Sequence, residues 1–254
     1  MFDHISIPTI LISYVALLFS LSVHEASHAA AAYWLEDDTA ARLGRMTLNP
    51  IAHMDPIGTF LFPLLGMTTG LPFIGWAKPV PIQPNRFSRR FRMRTGISLV
   101  SAAGPASNLI LCLLFLVATA VAVRLMAGSG TERVHLFITT LNGPEALMEW
   151  KVGATALLLL GLGGRLIIIN VMLAIFNLLP LGPLDGAGVL QGFLPTQWAQ
   201  SFDHYRRYMF IFLLAVVFIP GPGGHSSILG WALAPVFDGV FTVLLFLAGL
   251  ILGA

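Results

Sequence analysis

The sequence predicts an all-α polytopic membrane protein with about four to six membrane segments, including a re-entrant hairpin after the first helix. The first observation is composition: of 254 residues, 56% are hydrophobic and only 10% are charged, and the mean hydropathy is +0.83. The second is length, because several apolar stretches reach the roughly 20 residues that a helix needs to cross a bilayer. The third is the placement of proline and glycine, which interrupt one apolar stretch and argue against a continuous helix there.

Four stretches are long and apolar enough to span a bilayer as helices. They are residues 7–35, 96–126, 152–179 and 228–252. A further apolar stretch at 208–219 is short for a crossing, so whether it spans the membrane stays open. We expect one integral-membrane domain over 1–254, with its core at 7–190 and C-terminal membrane segments at 208–252.

The segment between the first two spans is broken by proline. Asn49-Pro50 and Asp55-Pro56 argue against a continuous helix. Residues 58–76 are apolar but carry Pro63 and Pro72. Irregular backbone at membrane depth is tolerated only against protein or a water-filled cavity, so we predict a re-entrant hairpin at 58–76. The other connections are expected to be a polar link at 127–150 and a loop at 180–203.

Charge placement predicts the orientation of the chain. Eight of the 14 Lys and Arg residues lie between the first two spans. The positive-inside rule places that loop in the cytoplasm and the N-terminus outside. No basic region precedes the first apolar stretch, so we expect that stretch to be retained as a span. The single cysteine, Cys112, excludes a disulfide framework and a cysteine metal site, and nothing indicates a nucleic-acid partner.

The first span carries the motif His24-Glu25-x-x-His28. Residues four apart lie on one helix face about 6 Å apart along the axis, so both imidazoles can reach one metal ion. Glu25 lies beside that face, where a carboxylate can act as a base. Ionisable groups at membrane depth are costly and indicate function. Chance occurrence of this short motif is the alternative, and the membrane-length helix around it disfavours that alternative.

Catalytic zinc commonly takes three protein ligands, so the two histidines need a partner. The candidate is Asp185, in the stretch 177–186 that ends the third span with prolines and a glycine. Such a break places irregular backbone close to membrane depth. Simple capping of the next turn is the alternative role for this aspartate. Three other carboxylates compete on chemistry alone, although none follows a helix broken within the membrane: Glu36, Asp55 and Asp238.

With both motifs in view, the chain resembles the site-2 protease family of intramembrane zinc metalloproteases. The resemblance rests on HEASH at 24–28 and NLLPLGPLDG at 177–186, with further likeness in GPASN at 104–108 and GRMTLNPIAHMDPIGT at 44–59. The residues of this sequence match neither the PDZ insertion between the two halves of the site nor the nucleotide-binding regulatory tail of larger members, so we expect a protein without them. It therefore resembles a short form of the family.

The resemblance implies a set of site residues. His24, His28 and Asp185 would bind one catalytic zinc ion, and Glu25 would be the general base. Two uncharged donors at depth, Asn108 and Asn177, are expected to bind substrate or an oxyanion. Hydrogen bonding between helices is the alternative role for both amides. The roles of three further polar residues stay open: His53, Asp55 and Arg165.

The implied function is a zinc metalloendopeptidase that hydrolyses peptide bonds within or near transmembrane segments of membrane proteins. The expected partners are transmembrane protein substrates, which the hairpin would receive by strand addition, and the lipid bilayer. The expected location is a prokaryotic cell (inner) membrane, with the active site nearer the cytoplasmic face. Two other classes stay open: a membrane transporter using the same His/Asp site, and a catalytically idle relative that binds transmembrane helices.

Overall fold

The regular secondary structure is helical throughout the described part of the chain. The computed structural model describes residues 7–61, 77–224 and 227–253. We number the α-helices in chain order: α1 Ile7–Trp34, α2 Thr39–Arg42, α3 Met93–Met126, α4 Gly130–Asn142, α5 Pro144–Met148, α6 Ala154–Asn177, α7 Asp185–Phe193, α8 Thr196–Phe218 and α9 Ile228–Leu252. Short 3-10 and π turns occur between several of them.

Among the described residues, four helices are long and apolar enough to cross a membrane. These are α1, α3, α6 and α9, and their bounds agree within a few residues with the four predicted spans. The prediction of an all-α polytopic membrane protein is therefore confirmed. The short stretch at 208–219 forms the apolar second part of α8, where the apolar helix is Tyr208–Phe218.

The re-entrant hairpin predicted at 58–76 falls mostly on residues 62–76, which lie outside the described residues. The described beginning is a short π-helix, Pro56–Leu61. Asp55 caps this turn, because its Oδ1 accepts hydrogen bonds from the N–H groups of Ile57 and Gly58 at 3.0 and 2.7 Å. The hairpin itself stays a prediction.

Two connections differ from what the sequence predicted. Residues 127–150, expected as a polar link, form α4 and α5, which bury Phe137 and Leu147. A helix start was marked in the sequence by Ser129 and Glu132, which form a capping box. Residues 180–203, expected as a loop, contain α7 and the start of α8. The glycines and prolines of that stretch argued against a helix. In the structure, Gly186 and Gly188 of α7 lie in close contact with neighbouring residues.

Helix α3 lies at the centre of the fold and packs against α1, α6, α7 and α9. Its second half joins α4, α6 and α9 in a buried group that we name the apolar cluster, with members including Cys112, Leu116, Val123, Phe137, Leu160, Ile167, Leu244 and Leu252. Its first half contacts α1 and α7, and α6 through Asn108. That first half positions the site.

Candidate metal centre

His24 and His28 lie one turn apart on α1 and are both buried, with 4% and 8% of their surface exposed. Their Nε2 atoms are 3.1 Å apart and their ring planes are nearly perpendicular, at 86°. Gly104 of α3 lies directly against the two rings: a Cβ atom there would be 2.5 Å from His28 Nε2 and 2.6 Å from His24 Cε1. The absence of a side chain at this position therefore lets α3 approach the imidazoles.

Asp185 completes a three-residue arrangement with these histidines. Its Oδ2 lies 3.1 Å from His24 Nε2 and 3.3 Å from His28 Nε2. Asp185 is the first residue of α7, and its carboxylate reaches the site because α7 packs closely on α3. Gly188 lies against Ser101, and the hydroxyl of Ser98 donates a hydrogen bond to the Val189 carbonyl at 3.1 Å.

The tight return of the chain after α6 also depends on glycine. A Cβ atom at Gly186 would lie 2.2 Å from the Leu178 carbonyl oxygen and 2.4 Å from that of Leu179. Such distances are too short for any side chain. The Asp185-Gly186 pair therefore combines a carboxylate with the close backbone contact that directs it back towards α1.

The hydrogen bonds of the two imidazoles leave both Nε2 atoms facing Asp185. His28 Nδ1 lies 2.7 Å from the Val100 carbonyl oxygen, and His24 Nδ1 lies 2.6 Å from Asn108 Oδ1. Oxygen atoms of this kind only accept hydrogen bonds, so each neutral ring carries its proton on Nδ1. The lone pair of each Nε2 is then directed to the space shared with the carboxylate.

This donor set fits a zinc ion. The three atoms form a nearly equilateral triangle with sides of 3.1, 3.1 and 3.3 Å. Tetrahedral zinc with ligand distances of about 2.0–2.2 Å requires ligand atoms about 3.3–3.5 Å apart, close to these values. Within the described part of the chain, Asp185 Oδ2 is buried without a hydrogen-bond partner. Three electron pairs so close together repel one another unless a cation lies among them.

Glu25 is buried beside this triangle, with 8% of its surface exposed. One ligand atom from each of His24, Glu25 and His28 lies within 4.8 Å of the others, so Glu25 competes with Asp185 as third ligand. Asp185 Oδ2 lies 3.1 and 3.3 Å from the two Nε2 atoms, within reach of an ion that both of them bind. Glu25 Oε2 instead accepts a hydrogen bond from the N–H of Val80 at 3.2 Å. The geometry thus favours Asp185 as the third ligand and leaves the Glu25 carboxylate beside the ligand set.

Val80 belongs to a non-helical segment, 77–83, that runs past the site. The N–H of Lys78 donates to the His53 carbonyl at 2.9 Å, and the N–H of Gln83 donates to Asp37 Oδ2 at 2.6 Å. Asp37 is fully buried next to the end of α1. These bonds fix the segment on both sides of its contact with Glu25.

The two asparagines expected to bind substrate or an oxyanion occupy different surroundings. Asn108 is fully buried behind His24, and its Nδ2 donates to Asn170 Oδ1 at 2.8 Å. Asn177 is the last residue of α6 and donates to the Leu173 carbonyl at 2.9 Å. The described contacts are thus bonds between helices for Asn108 and within a helix for Asn177. A direct role toward substrate stays a prediction for each.

Asn170 and Ser20 were not identified from the sequence, yet the structure places both in the group of hydrogen bonds behind His24. Asn170 Nδ2 donates to Ser20 Oγ at 2.9 Å, and both residues are fully buried. The available signal was a carboxamide in the middle of an apolar span, which is unusual without a partner.

His53, whose role the sequence left open, hydrogen-bonds to the Thr47 carbonyl through its Nε2 at 2.8 Å.

Sequence comparisons give an independent result. The profile of Peptidase family M50 matches residues 83–219, more than half of the chain. YwhC of Bacillus subtilis, provisionally described as a zinc metalloprotease, is 36% identical over 81% of this chain and 80% of its own length. Rip2 of Mycolicibacterium smegmatis and Rip2 of Mycobacterium tuberculosis, described in the same provisional terms, are 27% and 28% identical over 80% and 82% of this chain.

The chain spans 65% and 66% of the lengths of those two Rip2 proteins. No solved structure matches the chain significantly. The family match contains Asp185 and Asn108, and the His-Glu-x-x-His group lies buried against that region. The chain therefore belongs to peptidase family M50, the site-2 protease family of zinc metalloproteases.

Proposed function

We propose that this protein is an intramembrane zinc metalloendopeptidase that hydrolyses peptide bonds within or near transmembrane segments of membrane proteins. The observation that carries the proposal is the buried triangle of His24, His28 and Asp185 with Glu25 beside it. Two of its three residues, His24 and His28, lie on the membrane-length helix α1, and His24 is about 26 Å from the start of that helix and about 15 Å from its end by helix rise. A peptidase site at that depth acts on segments that are themselves in the membrane.

His24, His28 and Asp185 are the residues that would hold one zinc ion. Zinc bound there supplies a Lewis acid and lowers the pKa of a water molecule bound to it. Glu25 acts as general base: its carboxylate accepts a proton from the attacking water and delivers it to the amine nitrogen that leaves. The N–H of Val80 holds one oxygen of Glu25, and within the described residues the other oxygen has no hydrogen bond, so it can take the proton.

The substrate has to enter with an accessible peptide bond. A transmembrane helix hides its carbonyl groups in its own hydrogen bonds, so it must unwind locally before hydrolysis. The predicted hairpin at 58–76 is the element to which we assign the receiving edge. The segment 77–83, which follows it, is held against Glu25 and therefore connects that edge to the site.

The location of the site supports cleavage near the cytoplasmic face of a prokaryotic cell membrane. The homologues described above are bacterial. The motif is closer to the C-terminal end of α1, and that end leads into the loop with eight of the 14 basic residues. The positive-inside rule places this loop in the cytoplasm.

The test uses purified full-length protein in detergent and in vesicles, with a panel of single-span substrates. Cleavage within the span should require zinc, should stop on chelation and should be lost in Glu25→Gln, which keeps the metal ligands. The matched control is Glu36→Gln, the same change at an exposed residue after α1, which should cleave like wild type. Cleavage by Glu25→Gln at the wild-type rate would contradict the proposal. Stoichiometric zinc without cleavage of any substrate would favour transport or helix binding.

A further inference from the structure

A chain of buried hydrogen bonds runs from one metal ligand across three membrane helices. It begins at His24 on α1, passes through Asn108 on α3 and Asn170 on α6, and returns to Ser20 on α1. Ser20, Asn108 and Asn170 are fully buried, and His24 is 4% exposed. The chain uses only side chains, and each donor–acceptor distance lies between 2.6 and 2.9 Å.

The direction of these hydrogen bonds is set by a backbone carbonyl. Asn170 Nδ2 also lies 2.8 Å from the carbonyl oxygen of Leu166, one turn earlier in α6. A carbonyl oxygen only accepts, so the amide group of Asn170 that faces it must be the NH2. The oxygen of Asn170 then faces α3 and can only accept from the NH2 of Asn108. The oxygen of Asn108 is left facing His24.

The last step of this order fixes the tautomer of His24. Asn108 Oδ1 accepts the proton of Nδ1, so the lone pair of the imidazole is placed on Nε2, which faces Asp185. His28 reaches the same state by a direct bond from its Nδ1 to the Val100 carbonyl oxygen. Main-chain carbonyls thus determine the tautomer of both histidines. The Val100 carbonyl acts directly on His28, and the Leu166 carbonyl acts on His24 through Asn170 and Asn108.

We propose that Asn170, held in part by Ser20 and acting through Asn108, is a positioning residue that keeps His24 in the tautomer and ring orientation that bind the metal. The inference rests on the proposed function because it assumes a metal at His24. If Asn170 were rotated by half a turn about its last side-chain bond, its oxygen would face the Leu166 carbonyl and its NH2 would face the NH2 of Asn108. Both contacts are repulsive, and buried unpaired amides are costly. The observed order is therefore the stable one.

Adhesion between helices is the competing explanation, because carboxamides often join membrane helices. The two explanations differ in what Asn170→Leu changes. Adhesion predicts a lower unfolding temperature with unchanged zinc affinity. The positioning role predicts weaker zinc binding, by up to the roughly 10- to 100-fold loss that removal of a direct partner of a ligating histidine causes, because Asn170 acts one residue further away, through Asn108.

The decisive experiment measures zinc affinity by chelator competition, together with thermal unfolding, on the purified full-length chain. Asn170→Leu is made in the wild type and in Asn108→Asp. A carboxylate at position 108 only accepts, so it orients the Nδ1–H of His24 without help from Asn170; its second oxygen faces Asn170 Oδ1, a repulsion that Asn170→Leu removes. We expect Asn170→Leu to weaken zinc binding in the wild type and not to weaken it in the Asn108→Asp background. Equal losses in both backgrounds, or unchanged affinity in both, would overturn the proposal.

A second pair of variants keeps the test valid if Asn170→Leu does not fold. Ser20→Ala removes one of the two acceptors that hold the NH2 of Asn170, so it should weaken zinc binding, but less than Asn170→Leu does. Ser22→Ala is the matched control: this buried hydroxyl on the same helix bonds only the Leu18 carbonyl in the described structure, and zinc affinity should not change. Equal affinities of the two serine variants would contradict the proposal. Failure of the wild type itself to bind zinc would contradict the metal site as well, which separates the two failures.

Discussion

The two halves of α3 have different neighbours, and the difference separates what positions the site from what stabilises the fold. In the first half, Gly104 and Asn108 lie against the two histidines of α1, one by close contact and one by a hydrogen bond. In the second half, residues such as Cys112 and Leu116 pack into the apolar cluster. A hydrogen bond or a close backbone approach requires a particular residue type at its position, whereas a buried apolar position accepts other apolar side chains of similar volume. Substitutions in the two halves should therefore have separable effects on metal binding and on stability.

The largest expected effect is that of Gly104→Ala in the first half. The new methyl carbon would lie 2.5–2.6 Å from atoms of both imidazoles, so either the rings or α3 must move. Because His24 and His28 would no longer converge, we expect loss of measurable zinc binding and of cleavage. Metal content of the purified protein measures this directly.

Gly239→Ala is the control for that substitution. It makes the same change in the interior of α9, where a Cβ atom meets nothing within 4 Å. Zinc content and cleavage should match those of wild type. Retention of full zinc occupancy by Gly104→Ala would show that the observed approach of α3 to the histidines is wrong.

The second half is tested by Leu116→Ala, which removes a side chain that is 1% exposed in the apolar cluster. Cavity formation should lower the free energy of unfolding by about 2 to 5 kcal/mol. The folded fraction should keep its zinc, because Leu116 lies outside the described metal site. Equilibrium unfolding in mixed micelles and metal content measure the two properties. Leu113→Ala, on the same helix but 47% exposed, is the control and should unfold much like wild type.

The same difference explains which features were predictable from the sequence. The four spans were found because composition over some 20 residues determines membrane insertion. His24, Glu25 and His28 were found because their spacing already places them on one helix turn. Asp185 was identified from a break that ends a span, and the structure places its carboxylate against both histidines. Each of these signals is local.

Features that depend on helix pairing were not predictable. Asn170 becomes a partner of Asn108 only because α6 packs against α3, and one sequence does not show which helices are neighbours. The two helices within the polar link expected at 127–150 were not predicted, for the same reason. Phe137 and Leu147 are buried there because the apolar cluster lies beside them, while the segment by itself is not very apolar.

Val80 allows a test of the role of Glu25 with a smaller expected effect, because Val80 contributes only one backbone N–H to the site. Val80→Pro removes the hydrogen bond to Glu25, and the neighbouring residues on both sides are already proline. A lost hydrogen bond to a carboxylate costs about 1.5 kcal/mol or more, so the cleavage rate should fall about tenfold or somewhat further.

Zinc affinity should stay unchanged in Val80→Pro, because Glu25 lies beside the triangle of ligands and not in it. Val80→Ala keeps the N–H, so its rate should remain close to wild type. A rate and a zinc affinity that fall together in the proline variant would instead make Glu25 a ligand. A fall in the rate alone places Glu25 among the groups that move protons, which is the distinction that the 3.2 Å bond to Val80 implies.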